Sequence, residues 1–431
     1  MAKTDSEVLA RVLEPALMDT DVRPQDDFYR YVNGTWLEDH VIPADRAADG
    51  AFHALRDLSE NRCHEIAKDA ADGKLGGPEA TRIGVLYEQF MDVETLNALG
   101  STPIQPLLKA VQDAATHEEL SVLLGALVRS GLGGFFNIGV WPDLNDPEKY
   151  TVNFDQGGLG LPDESYYRDE VYAGYLDKYE EHVAKMLTMA EVVEAARAKL
   201  AAAEVLRFET ELAAHHWDVV RSREVEPQNN PRQWEQIIED DPGFSWQAWV
   251  EAVGVNLEGH SLNVSQPDYL AAASLLWKRA HLHTLKLWMA RAIIDAFAPY
   301  LSESFADAAF DFYGRTLSGI EEMRPRWKRA LSVIEGVVGF DMGRLYVQRH
   351  FPAEYKEQMS HLVDNLLAAY QDSIQELDWM GEETKQKALG KLDAFTPKIG
   401  YPENPRSYDG LGRSPKKTRV ENIMATAKCD V

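Results

Sequence analysis
The chain has 431 residues, 45% hydrophobic and 26% charged, enough apolar material for a large core and two or three domains, and a composition that argues against extensive disorder. Seventy acidic residues against 44 basic ones give a net charge of -26, which disfavours binding to nucleic acid or to an anionic membrane surface. Only Cys63 and Cys429 are present, so a disulfide framework and a four-cysteine zinc cluster are excluded, and no run of eighteen apolar residues predicts a membrane span; a reducing, cytoplasmic home is the expectation.

In chain order, residues 1–24 read as a flexible arm. Asp26 or Asp27 then caps a short helix with Phe28, Tyr31, Val32 and Trp36 on one face. Ile83, Leu86, Tyr87, Phe90 and Met91 continue the helical period from Pro78, with Gly100 as a stop. Thr102 and Pro103 start another helix, and His117 to Arg129 form a third. Between Phe135 and Asp155 the period changes to β-rich runs around the turn string PDLNDPEK, which predicts a two-stranded hairpin. A glycine-rich irregular stretch, Gln156 to Tyr167, precedes long helices over 168–217, and loops follow at Glu226–Pro231 and Asp240–Gly243. Tryptophan-marked helices are expected near 268–298, 302–322, 325–338 and 355–379, and a turn-rich connection from Pro397 to Asp409. The fold class is therefore mainly α: a large multi-helix lobe with one small β-hairpin. The last twenty residues turn locally basic, with Lys416, Lys417, Arg419 and Lys428, and read as a disordered tail.

Catalytic motifs fail one by one. A zinc hydrolase needs two histidines one helical turn apart with a glutamate beside the first, the string H-E-x-x-H. His64-Glu65 is followed by Lys68 where the second ligand belongs, and His117-Glu118 by Ser121. Both read as ordinary helical histidines. Adjacent His215 and His216 point about 100° apart on a helix, and His281 and His283 do not share a face, so neither pair chelates by itself. The glycines at 157–160 and 131–134 lack the lysine or helix start of a phosphate loop and read as tight turns. Cys63 has His64 beside it only in sequence, which does not supply the geometry of an activated nucleophile. No catalytic residue and no metal ligand is assigned.

Ancestry is more legible than chemistry. The string DDFYRYVNGTWLEDHVIP at Asp26–Pro43 is followed by RIGVLYEQFMD from Arg82, STPIQPLL from Ser101, QGGLGLPDESYY from Gln156 and QPDYL from Gln266. A long block from Pro299, GRLYVQRHF from Gly343 and DWMGEETKQKALGKLDAFTPKIGYP from Asp378 complete the series. In these strings and their order the chain resembles the neprilysin-like zinc metallopeptidases, which include endothelin-converting enzyme and bacterial oligopeptidases. The resemblance covers about 22–411, and it divides the chain into the arm at 1–24, a peptidase N-terminal helical region at 25–411 and an unmatched tail at 412–431.

The resemblance implies the N-terminal part of a two-lobed metallopeptidase: a helical lobe that covers the active-site cavity and restricts it to oligopeptides. It implies zinc in the intact family member, with the ligands further toward the C-terminus, so none is expected to bind this chain. The family's tryptophan is replaced by Pro405, and no likeness remains past Leu411, which is read as a truncated or frame-shifted end. The family arginine that grips the peptide carboxylate aligns with Ala48; Arg46, two residues earlier, and Arg56 are the candidate substrate contacts, an arginine fork being suited to a carboxylate. The expected function is that of a metalloendopeptidase portion inactive alone. The alternatives are a non-catalytic peptide-binding or regulatory module, or one half of a two-chain enzyme completed by a separate catalytic half.

Overall fold
The computed structural model describes residues 15–408 and 417–427. Its elements in chain order are α1 (Phe28–Asp39), α2 (Ala51–Ala71), α3 (Pro78–Met91), α4 (His117–Arg129), β1 (Phe136–Pro142), β2 (Tyr150–Gln156), α5 (Ala173–Met189), α6 (Ala198–Ala213), β3 (Pro231–Gln233), α7 (Trp246–Val253), β4 (Ser261–Val264), α8 (Pro267–Arg279), α9 (Leu282–Phe297), α10 (Arg326–His350), α11 (Ala353–Glu376), α12 (Glu382–Asp393) and α13 (Arg419–Ala427), besides shorter turns of helix. They form two compact units. Among the described residues, the larger holds 15–49, 89–324 and 417–427, and the smaller holds 50–88 and 325–408.

In the larger unit the expected hairpin is present, with Gly139 opposite Asn153 and Trp141 opposite Thr151. It is not alone. Two short strands extend it to a four-stranded sheet of order β1-β2-β4-β3, with β4 parallel to β2 and β3 antiparallel to β4. Three residues, Pro-Arg-Gln, and four, Ser-Leu-Asn-Val, are too short to show an alternating period, so only tertiary pairing makes them strands.

One face of the sheet carries Phe136, Phe154, Leu262 and Val264 into a core filled by aromatic rings. Phe136 lies 4.7 Å from Trp246, and Phe154 meets Trp249 edge-on at 5.7 Å. Edge-to-face pairs of this kind add about 0.5–1.5 kcal/mol each beyond their area burial. Trp277 and Trp288, fully buried on α8 and α9, extend the cluster through Phe135.

Two expectations about the chain ends change. The part of the arm from Pro15 onward is bound to α1: Asp19 N donates to Tyr31 O at 3.0 Å and Thr35 Oγ1 to Met18 O at 2.9 Å. Gly34 makes room for this, since a Cβ there would overlap Asp19. Asp27 is the cap, its Oδ1 accepting from Arg30 N at 2.9 Å, while Phe28 is exposed and not part of a buried face. Within the expected disordered tail, Arg419–Ala427 is helical: Val420 and Asn422 are buried, and the Arg419 guanidinium sits 4.3 Å from the Phe90 ring centre. Residues 1–14, 409–416 and 428–431 lie outside the described residues.

The smaller unit is built on α2 and the 25-residue α10, which kinks at Val338 (φ -140°, ψ 42°) just after Gly336 and before Gly339. The expected helix ending near 338 thus resumes after the kink. Arg82 on α3 clamps Asp341 on α10 with two bonds, Nε to Oδ2 at 2.6 Å and Nη2 to Oδ1 at 3.0 Å. Beyond Phe351 the packing opens, for neither α11 nor α12 has a buried residue.

Candidate functional site
The two arginines singled out by sequence fall one in each unit. Arg46 follows α1 in the larger unit and is already matched: its Nη1 lies 3.2 Å from Asp49 Oδ1 and its Nε 3.4 Å from Asp45 Oδ1, with the side chain 17% exposed. His40 holds the same Asp49 at 2.8 Å and stacks on Trp36. A peptide carboxylate would have to displace Asp49 to gain the Arg46 fork. Arg56, on α2, is 60% exposed and donates from Nε to Glu60 Oε1 at 3.1 Å, one helical turn away. Lys328 joins this cluster, 2.9 Å from Asp57 and 3.5 Å from Glu60.

Three of the histidines named in the sequence, His64, His117 and His216, have structural partners. His64 stacks on Trp327 at 4.3 Å, meets Tyr87 OH at 2.8 Å, and has its pKa lowered by burial. His117 bonds Ala280 O at 3.0 Å. His216 meets Gly157 O at 3.1 Å and packs edge-on against Tyr269; burial pushes its imidazole down to about 4, so it is neutral at pH 7. Among the described residues no group of three or more His, Cys, Asp or Glu side chains could hold a metal ion. The described residues therefore do not fit a zinc ion. Burial, with Glu335 and Glu60 nearby, raises the Cys63 thiol to about 12, the reverse of an activated nucleophile.

What sequence did not reveal is a buried ionic cluster beneath the glycine loop. Glu209 on α6 is fully buried and lies 2.6 Å from Arg291 Nη2 on α9. Tyr167 OH donates to Glu209 at 2.7 Å and Tyr179 OH at 3.0 Å. Asp295 completes the set, 3.6 Å from Arg291 and accepting from Tyr313 OH at 3.1 Å, with His182 at 3.3 Å. Burial raises the Glu209 carboxyl, while Arg291 and the two phenols pull it back; the nearby anions hold Arg291 protonated.

The cluster and its neighbours fix the loop. Trp288 Nε1 donates to Gly158 O at 2.9 Å, and Tyr167 OH receives the Gly160 and Leu161 N–H groups at 3.1 Å. A Cβ on Gly160 would overlap the Tyr179 hydroxyl, and Gly158 stands at φ 94°, so this loop requires glycine at both positions. A cleft of about 600 Å³ lies over it, lined by Gly134, Asn137, Gly157, Trp217 and Asp295 among others. The residues Glu209 and Arg291 sit 82 positions apart; a charged residue inside an apolar helical period was the only signal available for them.

The profile of Peptidase family M13 matches residues 24–402. The neutral endopeptidase of Lactobacillus helveticus is 27% identical over 97% of this chain and 64% of its own length. An endothelin-converting enzyme homolog of Locusta migratoria is 26% identical over 91% of this chain and 57% of its own. Among solved structures, the Mycobacterium tuberculosis zinc metalloprotease ZMP1 in complex with inhibitor superposes with a TM-score of 0.91 at 40% identity, covering 97% of this chain and 63% of that one. The chain thus spans less than two thirds of the length of these relatives. Helix, small sheet and ordered sequence strings together define the mainly α N-terminal lobe of a metallopeptidase. The chain belongs to peptidase family M13, the neprilysin-like metallopeptidases.

Proposed function
We propose that this chain supplies the N-terminal helical portion of a zinc metalloendopeptidase acting on oligopeptides, and that it is inactive until joined to a part carrying the H-E-x-x-H helix. The observation that carries this reading is the face of α11. Tyr355, Met359, Leu362, Leu366 and Tyr370 recur at helical spacing as one stripe, each 44–62% exposed. Contiguous apolar surface of this kind marks an interaction face. The extra third of the relatives' length gives such a face an occupant of the right origin. A self-sufficient peptide-binding module would have closed this stripe, so its exposure favours the two-part enzyme.

Zinc would be held by the complementary part, and Arg46 and Arg56 enter this reading as candidate contacts for the peptide carboxylate. No helix among the described residues is long and apolar enough to cross a membrane. The sparse cysteines fit a reducing compartment, and the reading places the protein in the cytoplasm. The test is hydrolysis of a quenched fluorescent oligopeptide with added zinc. The 431-residue chain should give none. Addition of a co-expressed polypeptide bearing the family's zinc helix should restore turnover that a chelator abolishes. Chelator-sensitive turnover by this chain alone would overturn the proposal.

A further inference from the structure
β1 occupies the edge of the sheet, and among the described residues no backbone group of 137–142 bonds to anything but its partner strand. Every second residue of such a strand turns its N–H and C=O outward, a template that proteins usually blunt with charge, a bulge or a covering element. This strand, Phe-Asn-Ile-Gly-Val-Trp-Pro, carries no charge in a chain that is 26% charged; Pro142 at its end is its only protection. The hairpin tip projects beyond the core, leaving Val140 and Trp141 about 60% exposed on opposite faces. The Trp141 indole folds back over the strand, its Nε1 2.8 Å from where a Cβ on Gly139 would stand, so Gly139 is the vacancy that lets the ring lie flat.

The surroundings are as one-sided as the strand is neutral. Between Ser130 and Asp163 there are five carboxylates (Asp143, Asp146, Glu148, Asp155 and Asp163) and one basic residue, Lys149, itself 2.6 Å from Asp146; the next carboxylate, Glu164, is buried and paired with Arg168 at 3.2 Å. Glu148 and Asp155 have no ion pair among the described residues. At the start of β1, Gly134 and Asn137 line the cleft of about 600 Å³ over the glycine loop.

We propose that the outer edge of β1 is a docking site for an extended peptide segment bearing lysine or arginine, which adds to the sheet as a fifth strand beside the Trp141 ring. Main-chain hydrogen bonds supply affinity and the flanking carboxylates select positive charge. The same charge disfavours a second copy of this chain as the occupant, since its own β1 region is equally acidic. The inference concerns a surface of the larger unit and stands whether or not the chain has a catalytic complement.

The test uses the full chain and a fluorescein-labelled, capped decapeptide of alternating valine and lysine, read by anisotropy. N-methylation of one set of alternate residues should weaken binding by about tenfold or more, and of the other set hardly at all, because only one set donates to the strand. The alternating valine–glutamate peptide should bind at least about tenfold more weakly than the lysine one. Val140→Lys should weaken the lysine peptide about tenfold while leaving the thermal unfolding temperature unchanged, as expected of a charge placed on an exposed edge. Equal binding by both N-methylated peptides would mean mere charge attraction and would overturn the proposal. So would equal binding of the glutamate peptide, or a chain dimer in sedimentation that Val140→Lys dissolves, which would give the edge to a second copy.

Discussion
Each unit holds a buried guanidinium–carboxylate pair, and the two pairs are set in different company. In the larger unit Arg291 and Glu209 lie among phenols, a second carboxylate and a loop whose N–H groups they help to orient, all roofed by aromatic rings. In the smaller unit Arg82 and Asp341 form a bidentate bond between two helices, and the chain beyond them runs into α11 and α12 with no buried side chain. A buried ion pair is not by itself a mark of a finished domain. It fixes which helices meet, since leaving one charge unpaired is costly, whereas completeness depends on where the apolar faces end.

The largest expected effect lies in the larger unit. Arg291→Met leaves Glu209 buried without its cation and leaves Asp295 without its neighbour, and should cost about 3–5 kcal/mol in urea unfolding followed by tryptophan fluorescence. A loss under about 1 kcal/mol would show that the phenols alone satisfy the cluster. Asp341→Ala should cost about 3 kcal/mol, at the lower end of that range because α2 still packs on α10, and it should be registered by probes in the smaller unit only.

Acid comes next. His216 titrates near 4 folded against 6.5 in an ordinary setting, so the unfolded chain takes up the proton first as pH falls. The stability it contributes is full above pH 6.5 and is lost as pH drops toward 4, by about 3 kcal/mol. His216→Gln should remove that portion of the pH dependence; an unchanged profile would assign it elsewhere. The smallest effect belongs to α11, where Leu366→Glu should move the unfolding free energy of this chain by no more than about 0.5 kcal/mol. On the proposed two-part reading, the same change should sharply reduce association with a polypeptide bearing the family's zinc helix. A loss of several kcal/mol from the isolated chain would mean that the stripe is already part of a core.

The helices were readable because their apolar residues recur at 3.6-residue spacing, as Ile83, Leu86, Tyr87 and Phe90 do, and because a cap such as Asp27 stands where the pattern begins. β3 and β4 were not, since nothing in three or four residues distinguishes a strand from a loop until a neighbour pairs with it. The tail helix was missed because its basic residues suggested solvent. Arg419 instead lays its guanidinium over Phe90 and reaches the Pro299 carbonyl at 3.3 Å. Family strings located the lobe but not its ionic centre, whose members Tyr167, Tyr179, Glu209, Arg291 and Asp295 come together only when three helices and the glycine loop converge. For Arg46, sequence supplied a free-looking cation; the fold put Asp49 against it.

Cys63 gives the smaller unit a clock. It is 8% exposed at the wall of a cleft it shares with Ser59, Glu335 and Tyr346, and its thiol, raised to about 12, is almost wholly protonated at neutral pH, so a thiol reagent reacts slowly until the helix pair parts. With Cys429 replaced by serine, the rate at which Cys63 is alkylated across a denaturant series reads the opening equilibrium of that unit alone.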